Sequence, residues 1–187
     1  MNSTQLFIII AFVFGFRLDI SGCVSSIKFT NLECVPLDKP FADFHHCKLK
    51  ALSRDKVALS LRVNLFQVPV NNVSLNLQFY KKFNGFRPFL FNITTDFCQF
   101  LRHKKRVLFL DIIFKFLEEA SNINHTCPYG HDIIVDRLIL APKHFAQMPL
   151  PSGVYRLKIV VGAYNDWKAI VVLNHGYSLR QDLECYF

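Results

Sequence analysis

Two segments near the middle of the chain alternate apolar and polar residues with a period of two. In 57–65, Val57, Leu59, Leu61, Val63 and Leu65 are apolar, and Ser60, Arg62 and Asn64 fall between them. In 73–83, Val73, Leu75, Leu77, Phe79 and Phe83 are apolar with Lys81 the exception, while Ser74, Asn76, Gln78 and Lys82 are polar. Successive side chains of a strand point to opposite faces, so the pattern predicts two antiparallel strands, each with a wet and a dry face. Further strands are predicted over 27–34, 44–52, 87–93, 132–140, 153–164 and 167–174. In 153–164, Tyr155, Leu157, Ile159, Val161 and Ala163 alternate with Arg156 and Lys158. Breaks fall at the two prolines of 35–40, at 68–72, at Asn84-Gly85 and at Asn165-Asp166, the last a hairpin-sized turn.

Between residues 94 and 120 the period changes. Thr95 and Asp96 are good N-cap residues before Phe97-Cys98-Gln99-Phe100-Leu101, which predicts a short helix. In 107–120, Leu108, Ile112 and Phe116 form one helical row and Phe109, Ile113 and Leu117 the next. Asp111, Lys115, Glu118 and Glu119 take the opposite side. We read a helix, although the apolar content also suits a strand. About eight short strands with turn residues between them define an all-β fold, an immunoglobulin-like two-sheet antiparallel β-sandwich with a helical insertion around residues 94–120.

The apolar run over 6–16 is too short to span a bilayer comfortably and is followed by Ser21, Gly22 and Ser25. It predicts a signal peptide over 1–23 and a single secreted domain over 24–187, although MNSTQ carries no basic residue. Three sequons, at Asn72, Asn92 and Asn124, are glycosylation candidates in an exported chain, and six cysteines suit an oxidising compartment. Both features place the protein outside the cell. No other stretch is long and apolar enough for a transmembrane helix in the mature chain.

The net charge of +8 is unchanged by losing the leader, because Arg17 and Asp19 cancel. In an exported glycoprotein such an excess suits anionic head groups or glycans at a cell surface, not nucleic acid. The run 102–106 reads first as a solvated loop. His45-His46 and the set His125, Cys127 and His131 match no zinc spacing, and a cysteine in a disulfide cannot ligate. The acidic residues are scattered, and no nucleophile motif, phosphate loop or dinucleotide fingerprint is present. The sequence therefore predicts no metal, no cofactor and no enzyme. Phe accounts for 20 of 187 residues, against one Trp and six Tyr. So much ring surface either packs solid or lines a pocket for an apolar ligand.

The stretch from Asn84 to Leu101, NGFRPFLFNITTDFCQFL, and the stretch from Ser121 to Pro128, SNINHTCP, choose between these readings. Together with FTNLEC at 29–34, FADF at 41–44, CKLK at 47–50 and LPSGVY at 150–155, they resemble a large insect family of secreted domains of unknown function. That family includes the chemosensory CheB group and is similar in fold to the ML lipid-recognition domains, such as ganglioside activator proteins. The resemblance implies an ML-like sandwich whose inner faces part to admit an acyl chain. It pairs Cys98 with Cys127. Cys34 with Cys47 is the next choice, and an ML-like alternative pairs Cys34 with Cys185 and Cys47 with Cys23.

The function implied is a secreted, non-enzymatic binding protein for an apolar small molecule or lipid in chemosensation, with a cell-surface receptor as a second partner. Dry-face residues Leu61, Leu65, Leu77, Phe79, Phe89, Phe91, Tyr155 and Leu157 would line the cavity. Arg102, Lys104, Lys105 and Arg106 would meet an anionic head group. The alternative is a secreted protein–protein interaction module with a solid core and no ligand.

Overall fold

The computed structural model describes residues 23–103, 108–145 and 150–180. Its strands are β1 (Cys23–Pro36), β2 (Ala42–Ala51), β3 (Val57–Leu65), β4 (Val73–Lys82), β5 (Phe86–Asp96), β6 (Ile133–Ile139), β7 (Gly153–Ala163) and β8 (Asp166–Arg180). Helices α1 (Phe97–Arg102) and α2 (Leu108–Glu118) lie between β5 and β6, and a 3-10 turn (Pro142–Phe145) follows β6. The unit they build is Val24–Leu179.

One sheet has five strands in the order β1-β8-β7-β4-β5, and the other has three in the order β2-β3-β6. The ladders of β2, β3 and β6 and those of β5, β4, β7 and β8 are antiparallel. The fold is an all-β, two-sheet sandwich with a helical insertion. The alternation explains the layering. Leu75, Leu77 and Phe79 of β4 are buried, while Ser74, Asn76 and Gln78 face the other way. Leu59 and Leu61 of β3 are buried in the facing sheet. In the five-stranded sheet, Leu77 pairs with Ile159 and Ile159 with Val171, so one apolar row crosses three strands.

The insertion follows its caps. Asp96 stays extended and its Oδ1 accepts from the Gln99 N–H at 2.8 Å, which satisfies one of the free donors at the start of α1. On α2, Leu110, Ile112, Ile113, Phe114 and Phe116 are buried, and Asp111 pairs with Lys115 one turn on at 3.0 Å. Leu108, placed by periodicity in an apolar row, is exposed at the first turn.

Cys34–Cys47 ties β1 of the larger sheet to β2 of the smaller, and Cys98–Cys127 ties α1 to the loop that enters β6. The alternative pairings of Cys34 and Cys47 are thereby excluded.

Three local features differ from the expected pattern. β8 continues beyond Asn174, because Tyr155 pairs with His175, Val154 with Gly176 and Gly153 with Tyr177. The β7–β8 hairpin turns on Tyr164 and Asn165, not on Asn165-Asp166. Both have positive φ, 53° and 64°, and Ala163 pairs with Asp166, as a two-residue type I′ turn requires. β5 carries a bulge in which Phe89, Leu90 and Phe91 lie across from Phe79 alone, with Leu90 at φ 65°. That kink leaves Leu90 exposed and turns both Phe89 and Phe91 toward the Phe79 ring.

Candidate ligand cavity

The inner faces of the two sheets do not meet everywhere. A cavity of about 220 Å³ lies between them, walled by Leu75 and Leu77 of β4, Val171 and Leu173 of β8, and Leu59 and Leu61 of β3. Phe97 of α1, Ile113 and Phe114 of α2, and Tyr129 close its side. The wall exposes no polar surface, so a water inside would lack the partners it needs and the space is dry. A cavity of about 150 Å³ takes up benzene, and on that scale this one has room for roughly nine carbon atoms.

The lining reaches one end of the sandwich at Phe41, Val70, Ala163 and Lys168. At that end the β1–β2 link, the β3–β4 link, the β7–β8 turn and the start of β8 leave Leu37, Phe66, Val68, Tyr164 and Trp167 exposed. Tyr164 stands edge-on to Phe41 and donates its hydroxyl to the Pro69 carbonyl at 2.9 Å. Lys168 is the cation of the lining, and its side chain is only 13% exposed. Its Nζ lies 2.7 Å from Asp38 Oδ2, 2.9 Å from Asp166 Oδ2 and 5.0 Å from the centre of the Phe41 ring. The hydrogen bond to Asp38, then that to Asp166, raises the Lys168 pKa, and the hydrogen bond from Lys168 holds the Asp166 carboxyl below its usual range. Sequence reasoning missed Lys168, whose partner Asp38 lies in a distant turn.

Of the residues chosen from the sequence as cavity-lining, Leu61, Leu65 and Leu77 line this space. Phe79, Phe89, Phe91 and Tyr155 form instead an aromatic stack further along the sandwich, where Leu157 is also buried. Phe79 sits at its centre, 5.3 Å from both the Phe91 and Tyr155 rings. Lys81, the exception in the alternation, points its Nζ over the rings of Phe83, Phe89 and Tyr155 at 5.6 to 5.8 Å. An inward lysine at that position is thus held by ring faces.

Arg102 ends α1 exposed and does not line the cavity. Lys104, Lys105 and Arg106 lie outside the described residues. Asn72, Asn92 and Asn124 are all exposed, and Asn92 accepts from Asn76 Nδ2 at 3.0 Å.

Among the histidines, His125 and His131 bring their Nε2 atoms within 2.8 Å, but Cys127 is committed to Cys98. Among the described residues there is no group of three or more His, Cys, Asp or Glu able to hold a metal ion. No helix among them is long and apolar enough to cross a membrane.

The family model described as "Protein of unknown function (DUF1091)" matches residues 75–157, from β4 into β7. No protein of curated function matches the chain. Among solved structures, a Niemann-Pick type C2 protein from the Japanese carpenter ant is similar at 11% identity and a TM-score of 0.28, over 84% of this chain and 96% of that one.

Proposed function

We propose that this protein is an exported, non-enzymatic carrier of a small apolar molecule or lipid, acting in chemosensation as the resemblance to the CheB group implies. The observation that carries this reading is the dry cavity of about 220 Å³ between the sheets. A solid-core interaction module would leave gaps no larger than a methyl group or two. Two disulfides support an oxidising compartment, and three exposed sequons leave room for glycans.

The mechanism is desolvation. Burying roughly nine methylenes at about 0.8 kcal/mol each supplies about 7 kcal/mol before the cost of immobilising the ligand is subtracted. Length therefore limits affinity, and a longer chain would have to leave by the Phe41–Lys168 end. Lys168 sits there already matched by two carboxylates, so it shields the greasy interior without demanding an anionic ligand.

Organic extraction of protein secreted from insect cells, followed by mass spectrometry, tests the reading. We expect an apolar compound at close to one molecule per chain. Repeated recovery of protein with no such compound, and no uptake when candidate lipids are supplied, would leave the interaction module as the better account.

A further inference from the structure

Among the described residues, His175 is the buried polar side chain, 5% exposed, and its Nε2 has no hydrogen-bond partner. The imidazole is surrounded by rings, with centroids 5.6 Å away at Phe145, 5.7 Å at Tyr155 and 6.0 Å at Phe79. An unpartnered polar atom in such a place costs on the order of 1–3 kcal/mol, and native folds hold few of them.

The position of His175 in the ladder gives that nitrogen a use. Ala169, Val171 and Leu173 alternate along the inner face of β8, and all three line the cavity. His175 is the next residue on that face, about 6.6 Å further at the usual rise of a strand. On β4 the lining stops at Leu77, and the next inner-face residue is Phe79, whose ring abuts His175. The imidazole thus lies one pleat beyond the last lining residues of β4 and β8, away from the Lys168 end.

Its chemistry narrows the ligand. Burial pushes the His175 pKa down to about 4, so the ring is neutral at physiological pH, with one N–H and one lone pair. A hydroxyl can both donate and accept, so it satisfies Nε2 in either tautomer. A carboxylate would arrive stripped of water in a layer whose cation, Lys81, is already directed at three ring faces.

We propose that His175 is the hydrogen-bonding anchor for the hydroxyl of an uncharged apolar alcohol whose chain occupies the cavity. This rests on the carrier reading above. Binding draws the hydroxyl to Nε2 past the side chains of Leu173 and Phe79, with the chain running back toward Phe41.

Equilibrium dialysis of 1-nonanol, n-nonane and nonanoate against wild type and His175→Leu, with the bound compound measured by mass spectrometry, tests the anchor. We expect the substitution to weaken 1-nonanol about ten-fold, the size of one net hydrogen bond, and to leave n-nonane within about two-fold. Equal effects on both ligands, or none on the alcohol, would overturn the anchor while leaving the carrier intact. A larger loss for nonanoate than for the alcohol would overturn the choice of an uncharged ligand. If no compound binds wild type, the carrier reading falls and the anchor with it.

Nitrogen-15 spectra of wild type give a readout that does not depend on the variant folding. The His175 Nε2 resonance should move with 1-nonanol and stay in place with n-nonane; an unmoved resonance in both counts against the anchor.

Discussion

Replacing Cys98 and Cys127 together by alanine is expected to lower the stability of the fold by about 3.5 kcal/mol. The bridge spans 29 residues, and closing a loop of that length removes about this much entropy from the unfolded chain in the chain-entropy model. The shorter Cys34–Cys47 bridge, spanning 13 residues, should contribute about 3 kcal/mol by the same reckoning. The longer bridge has a second role. It fastens α1, which supplies Phe97 to the cavity wall, to the loop that carries Ile123 and Tyr129 into the same wall. Its loss should therefore weaken apolar ligand binding as well, whereas loss of Cys34–Cys47 should act mainly on stability. Urea unfolding of the two double variants beside wild type decides the matter. A loss below about 1 kcal/mol for the Cys98–Cys127 pair would mean that the insertion is held by packing alone.

Acidification from pH 7 to pH 4 is expected to cost about 3 kcal/mol through His175 alone. Its pKa falls from 6.5 in the unfolded chain to about 4 in the fold, because burial disfavours the imidazolium. Above pH 6.5 both states are neutral and the full stability is present. Between 6.5 and 4 the unfolded chain takes up a proton that the folded protein refuses, and each pH unit removes about 1.4 kcal/mol.

Other groups can be told apart by window and by variant. Asp132, held low chiefly by its hydrogen bond from Arg62, and Asp166, held low by Lys168, lose their contributions only below the ordinary carboxyl value of 3.8. His46 is also lowered, by desolvation and then by Lys48, so it acts in the same direction and window as His175. Unfolding midpoints of wild type and His175→Leu across this range separate the two. The variant should keep the pH dependence left by His46 and lose the part that His175 contributes. Parallel slopes would show that His175 is protonated in the folded protein.

The sheets were legible in the sequence because burial on one face imposes a period that composition cannot hide. The 57–65 and 73–83 alternations became β3 and β4, and Asp96 announced the start of α1. Lys81 looked like an error in the pattern because nothing in a period of two announces the three rings that receive it. The end of β8 was hidden by His175 and Gly176, which interrupt the apolar code although their backbones stay in register with β7.

The cavity was less legible for a related reason. Alternation says which side chains face inward, not how deep along the sandwich each one lies. Leu77 and Phe79 share a face, yet the first borders empty space and the second stands at the centre of the stack. Phe79 is met by Phe89 and Phe91 on either side of the bulge at Leu90, where a leucine takes a left-handed backbone that its sequence does not advertise. Lys168 and Asp38 meet across 130 positions and had no local signal.

Filling the space from within is the most direct test of the account. Ala169 is buried at the cavity wall, and Ala169→Leu adds three carbons to it. If the cavity is dry and waiting for a ligand, the variant should be more stable than ligand-free wild type, by up to about 2 kcal/mol, and should no longer bind n-nonane. Lower stability from overpacking, with n-nonane binding undiminished, would place the binding site elsewhere and contradict a carrier that works through this cavity.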